Sequence, residues 1–299
     1  MTRSVTPVRA AATLPVDGTT LDAQLAPPRT RRRACWSPTG MIGGFLVAFW
    51  LFIALFGVWL APYDPSALGG SVLASYSAAH PLGTDYLGRD VLSRILDGAR
   101  FTVGLALLAA VLSCALGTGL GLLAALSGRW VDEPLSRLID ALISMPSKIT
   151  ALVMVSAFGS SVPLLIVMAV VGYTPGCYRI ARSLAMNLTE LEYVQVARTR
   201  GEGKLYIALV EMLPNMRLPL LTDLGLRFVY IVLLLSGMSF LGLGVQPPDA
   251  DLGSLVRENI GGLADGAPAV LMPALAIGTL TVGVNLLIDR FGARRRGGR

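Results

Sequence analysis

The side chains with the most chemical potential in this chain stand where charge is scarce. Asp140, Lys148, Asp223 and Arg227 lie in or beside long uncharged stretches. An ionisable group at membrane depth is costly, so its default reading is functional, as an ion relay, a substrate contact or half of a pair. Asp223 and Arg227 are four residues apart, one above the other on a helix, which predicts a structural ion pair near the cytosolic end of a span. Lys148 follows Pro146 by two residues and lies two helical turns from Asp140. It can snorkel, pair or line a substrate path, and we expect it to face a translocation cavity beside the kink at Pro146.

Other chemistries are poorly supplied. His80 is the single histidine, which argues against histidine-based metal or triad chemistry. Cys35, Cys114 and Cys177 are scattered, odd in number and without CxxC spacing, so neither a disulfide framework nor a zinc site is suggested. Cys114 and Cys177 read as small apolar packing residues. Gly203-Lys204 is followed by Leu205 and has Arg198 where a phosphate-binding loop needs glycine. If ATP drives this protein, another chain hydrolyses it. No paired carboxylate, histidine or cysteine constellation supports a membrane-embedded enzyme.

The elements that position these groups follow from composition. Of 299 residues 54% are hydrophobic and 15% charged, a balance that predicts an all-α integral membrane protein. The net charge of +6 matters less than its placement, and a nucleic-acid partner is a poor fit. Residues 1–34, with Pro7, Pro15, Pro27, Pro28 and the cluster Arg29, Arg31, Arg32 and Arg33, read as a flexible cytosolic tail. Residues 35–100 supply a first span, Met41 to Ala61, and an extracytoplasmic loop from 62 to 100. Residues 101–290 form a core of five helices, and 291–299 a basic cytosolic tail. The first core span lies between Arg100 and Arg129, where Gly117 and Gly121 have the spacing that lets helices approach closely.

The uncharged run from Ile149 to Tyr178 is too long for one ordinary helix and too short for two spans. Gly159-Ser160-Ser161-Val162-Pro163 divides it, so its first helix should begin near Leu138. Phe228–Pro248 and Gly266–Ile288 are two further spans. Both terminal arginine clusters should face the cytosol, which requires an even number of crossings and makes six the consistent count. The basic segment at about 182–218 then lies in the cytosol, and a loop at 245–265 lies outside.

Two segments do more than mark topology. His80-Pro81-Leu82-Gly83-Thr84-Asp85-Tyr86-Leu87-Gly88-Arg89-Asp90-Val91-Leu92-Ser93-Arg94 resembles the sequence before the second span in permease subunits of bacterial peptide and nickel ABC importers. Tyr193 to Gly201, followed by Met212-Leu213-Pro214-Asn215, resembles the cytoplasmic coupling loop of such permeases. Ala197, Gly201, Leu213 and Pro214 hold the family register, while Gln195, Val196 and Glu211 depart from it. Gln246-Pro247-Pro248 after Leu241-Gly242-Leu243-Gly244 agrees as well. The resemblance runs from about Trp36 to Asp289 and is strongest to the "C" permease subunits of dipeptide and oligopeptide importers.

That resemblance implies a six-helix permease of a type I importer in the bacterial inner membrane, with both termini cytoplasmic and no cofactor of its own. It implies a second related permease, two cytosolic ATPase subunits that carry ATP and Mg, and an extracytoplasmic binding protein. The coupling residues would be Ala197, Gly201, Glu202, Leu205, Glu211, Leu213, Pro214 and Asn215. Gly201 would make a tight bend where a side chain would clash, and Pro214 would stop a short helix, Glu202 to Leu213, offering Leu205, Ile207, Ala208, Leu209 and Met212 to an ATPase groove. Gly83, Thr84, Asp85, Gly88, Arg89 and Asp90 would fold the outer loop onto the second span, with Arg89 and Asp90 in a local ion pair. Short peptides are the expected cargo, with nickel chelates, glutathione and haem as alternatives. A gradient-driven carrier using Asp140, Lys148 or Asp223 is the rival from another class.

Overall fold

The computed structural model describes residues 38–264 and 267–296, and these are helical apart from loops and one isolated bridge between Thr84 and Asp90. The tail 1–34, Cys35 and residues 297–299 lie outside the described residues. The helices are α1 (Pro38–Leu60), α2 (Val91–Ser127), α3 (Arg129–Ser144), α4 (Ser147–Phe158), α5 (Val162–Thr189), α6 (Glu192–Thr199), α7 (Lys204–Phe240), α8 (Leu252–Glu258) and α9 (Pro268–Arg296). Five of them, α1, α2, α5, α7 and α9, are long and apolar enough to cross a membrane, and the pair α3 and α4 makes a sixth crossing if its two arms count as one span.

That pair corrects the expectation of one helix from Leu138 onward. The chain bends by 81° between α3 and α4. Met145, the residue before Pro146, is extended at φ −91° and ψ 124°, because the proline ring crowds the helical conformation of its predecessor. The Pro146 carbonyl then accepts from the Ile149 and Thr150 amides and starts α4. The division at Gly159–Ser161 falls as expected.

α2 also differs, because it begins at Val91 rather than after Arg100. The Asp90 carboxylate caps it, accepting from the Ser93 amide at 2.8 Å. Ser93 and Arg94, expected in a loop, are buried in its first turns. At 37 residues α2 is about 55 Å long, enough to reach from the loop after α1 to the far end of the bundle.

Lipid gives helices no hydrophobic reason to associate, so close packing must hold them together. α2 makes its largest contact with α5. A Cβ on Gly117 would lie 2.5 Å from the Cys177 Cβ and 2.8 Å from the Tyr178 amide, and one on Gly121 would lie 2.8 Å from the Arg182 amide. Backbone cannot yield as a side-chain tip can. Gly117→Val is therefore expected to destabilise by about 1–3 kcal/mol through overpacking, read as a lower thermal midpoint in detergent. Gly119→Val, where a Cβ meets nothing within 4 Å, is the matched control and should shift it little. On the other flank α1 packs on α9, joined by a 3.2 Å hydrogen bond from Trp50 Nε1 to Thr279 Oγ1.

Candidate functional site

At one end of the bundle α6 stands apart as a short helix between two long ones. Val194 and Ala197 on its inner face are buried against Leu122, Ala181, Ala185, Ile207 and Met212. Gln195, Val196, Arg198 and Thr199 face out. Its last turn is closed by two hydrogen bonds, Gly201 N–H to the Arg198 carbonyl at 3.0 Å and Glu202 N–H to the Ala197 carbonyl at 3.2 Å. Together they form a Schellman cap, and Gly201 takes φ +80° to make it. A Cβ at Gly201 would meet nothing within 4 Å. The glycine is required by backbone conformation, not by the clash that the sequence suggested.

The segment after it is not the free helix expected over Glu202 to Leu213. α7 runs unbroken from Lys204 to Phe240, and Pro214 does not stop it. A π-helical turn spans Ile207–Met212, with the Leu213 amide bonded to the Ala208 carbonyl five residues back. This wider turn accommodates a proline ring that would crowd the carbonyl four residues earlier in a regular helix. Ile207, Ala208 and Met212 are buried in this chain's own core, so they are not offered to a partner. Leu205 and Leu209 are exposed and line a shallow apolar groove against Leu122, Leu123 and Leu126. Glu211 and Leu213 are half-buried, as is Glu202. Asn215 ties α7 to α6, its Nδ2 donating to the Glu211 carbonyl at 2.7 Å and to Tyr193 Oη at 3.2 Å.

The opposite end is closed by a buried charge network. Asp85 accepts from the Leu87 and Arg89 amides, both at 2.8 Å, from Arg89 Nε at 2.7 Å and from Arg94 Nη1 at 2.8 Å. Glu258, the last residue of α8, joins it, 2.7 Å from Arg94 and 3.2 Å from Arg89. Two acids and two arginines cancel, as burial demands. The expected Arg89–Asp90 pair does not form. Asp90 instead caps α2 and meets His80 Nδ1 at 3.0 Å, because α2 starts one residue later and claims that carboxylate.

Gly83 and Gly88 both have positive φ, and a Cβ on either would strike a backbone carbonyl, of Ala74 and Gly70 respectively. Thr84 is fully buried, bridging the Ser71 carbonyl and the Ala74 amide. Asp251 caps α8 through Ser254 and also accepts from Ser239 Oγ at 2.7 Å. Burial pushes its carboxyl above the usual range, against the pull of these hydrogen bonds. Arg94, Glu258 and Asn259 were not singled out by sequence, and no spacing links residues 164 apart.

Between the two ends, a cavity of about 360 Å³ opens at the broken span. Pro146, Ser147, Tyr173, Gly176, Arg179 and Arg227 line it. Lys148 does not. It is exposed at the start of α4 and has no ion-pair partner among the described residues, while Asp140 pairs with Arg179 at 2.6 Å. The Asp223–Arg227 pair forms as expected, at 3.1 Å and largely buried. Beside it the Sγ atoms of Cys114 and Cys177 lie 3.4 Å apart.

Residues 117–297 match the family described as binding-protein-dependent transport system inner membrane component, and residues 29–81 match the N-terminal transmembrane domain of oligopeptide transport permease C. A dipeptide transport system permease protein of Haemophilus influenzae is 32% identical, the alignment covering 83% of this chain and 87% of that one. A di/tripeptide transport system permease protein of Pseudomonas aeruginosa is 33% identical over 84% of this chain and 85% of its own. Among solved structures, the inward-facing MetNI methionine ABC transporter superposes with TM-score 0.53 at 16% identity, covering 69% of this chain and 97% of the matched one. That likeness speaks for the fold alone.

Proposed function

The chain belongs to the family of binding-protein-dependent transport system inner membrane components, with the fold of a type I importer permease, and from that premise we propose that it forms one half of a peptide-import path. A second permease supplies the other half. Two cytosolic ATPase subunits bind and hydrolyse ATP with Mg, and an extracytoplasmic binding protein delivers di- or oligopeptides to the end of the bundle where Asp85 and Glu258 meet. The chain lies in the bacterial inner membrane with both termini cytoplasmic. The dipeptide and di/tripeptide cargo named for the two relatives supports short peptides over nickel chelates or haem.

The observation that carries this reading is α6. A lever must be exposed on one face and rigidly joined to the helices it moves. α6 meets both conditions, with Val194 and Ala197 buried, a Schellman cap at Gly201 and direct succession into the rod of α7. Gly201, Ala197 and Asn215 set its placement, and Glu202, Leu205, Glu211, Leu213 and Pro214 join it to that rod. The gradient-driven alternative is weakened, because Asp140 and Asp223 are each held by an arginine and Lys148 lies exposed outside the cavity.

A cysteine at Arg198 is expected to crosslink to an engineered cysteine in the ATPase groove in the reconstituted complex, and one at Ile207, buried in the chain's own core, is not. Impermeant thiol labelling of whole cells should modify a cysteine at Ser66 and spare one at Arg198. Labelling of Arg198 from outside, or no crosslink from any exposed α6 position, would sink the assignment.

A further inference from the structure

We propose that Cys114, Cys177 and Asp223 form a binding site for a thiophilic divalent cation, of the class of zinc or cadmium, where α2, α5 and α7 meet. One donor atom from each residue lies within 4.8 Å of the other two. The residues come from three helices and from distant parts of the sequence, so the site exists only in the folded bundle. Cys177 and Asp223 are buried, and Cys114 is half-buried.

Metal–sulfur bonds of about 2.3 Å at a tetrahedral angle place two sulfurs about 3.8 Å apart. The observed 3.4 Å is a few tenths of an ångström short, a gap that small side-chain rotations close. The third ligand is held in place, because Arg227 binds the Asp223 carboxylate through Nη2 at 3.1 Å and Nε at 3.3 Å. Such outer partners fix a ligating carboxylate. Thr174, one turn before Cys177 on α5, has a buried hydroxyl without a hydrogen-bond partner.

Charge selects the ion. Binding releases the two thiol protons to water and leaves two thiolates, one carboxylate and the Arg227 guanidinium, a net charge of −2 that a divalent cation cancels. A neutral cluster is the arrangement that a low-dielectric interior tolerates. Two thiolates favour a soft or borderline ion over magnesium or calcium. Arg227, which holds Asp223, also lines the cavity at the broken span.

The test uses cadmium and the purified full-length chain carrying Cys35→Ser. One cadmium per chain, an ultraviolet thiolate-to-cadmium charge-transfer band and release of two protons per metal are expected. Cadmium should also raise the thermal midpoint, since only the folded bundle brings the three ligands together. Cys114→Ser and Cys177→Ser each should abolish the band and remove the thermal shift. Arg227→Gln should weaken binding by about 10–100-fold. Should a serine variant fold poorly, protection of Cys114 from maleimide by cadmium in the parent reads the same contact. Absence of the band, binding unaffected by either serine, or unprotected Cys114 overturns the site, as does a parent isolated with Cys114 and Cys177 joined as a disulfide. None of these readouts depends on transport, so the peptide-permease reading stands or falls separately.

Discussion

Arg94→Leu is expected to destabilise the protein by about 3–5 kcal/mol, the cost of breaking a buried ion pair by removing one partner. Arg94 is 5% exposed, and both of its partners, Asp85 and Glu258, would keep their negative charge in a site built for four charges that cancel. Arg89 cannot make up the loss, because its own bonds to the same two carboxylates are already formed. For a chain of this size the loss should lower the thermal midpoint by roughly 10 °C. The double variant Arg94→Leu/Glu258→Leu removes one charge of each sign and leaves Asp85 with Arg89, so it should recover part of the loss. A midpoint for Arg94→Leu within a degree or two of the parent would show that the network is solvated rather than buried. The consequence is more than local, since this network and the hydrogen bond from the Tyr86 amide to Asn259 help join the loop before α2 to the end of α8.

The spans were legible because an absence of charge over 20 or so residues has few other meanings, and the Asp223–Arg227 pair was legible because its geometry is local. The start of α2 was misread because Arg94 and Asp97 look like loop residues. Arg94 is helical and buried only because partners 9 residues back and 164 residues on neutralise it. Pro146 and Pro214 carry the same sequence signal and do opposite things. Pro146 breaks a span by 81°, while Pro214 is absorbed by a π turn inside a continuous rod. Nothing in the neighbouring residues separates the two outcomes. Lys148 was the conspicuous charge of the broken span, yet the arginines of α5 and α7 are the ones that reach the cavity. Cys114 and Cys177, 63 residues apart, became neighbours through the tight α2–α5 contact at Gly117.

Gly201→Val should separate folding from coupling. A β-branched residue in the left-handed conformation costs about 1–2 kcal/mol, and the Schellman cap that requires φ +80° would open to relieve it. The damage stays local. No heavy atom lies within 4 Å of the new Cβ, and the residues that fix the spans are elsewhere. Membrane insertion and the thermal midpoint of the bundle should therefore remain close to the parent's. Uptake in the reconstituted complex should fall by about tenfold or more, as expected for a coupling geometry disfavoured by such an energy, and substrate should no longer stimulate ATP hydrolysis. Gly201→Asn is the informative rescue, since asparagine tolerates the left-handed region far better than valine, and it should restore most of the activity. Pro214→Ala should stay within about twofold of the parent, because the rod of α7 already runs through that position and there is no stop to remove. Full transport by Gly201→Val would dissociate α6 from coupling. Loss of transport by valine and asparagine alike, with the bundle intact, would place the requirement on the absent side chain rather than on the backbone conformation that the cap imposes.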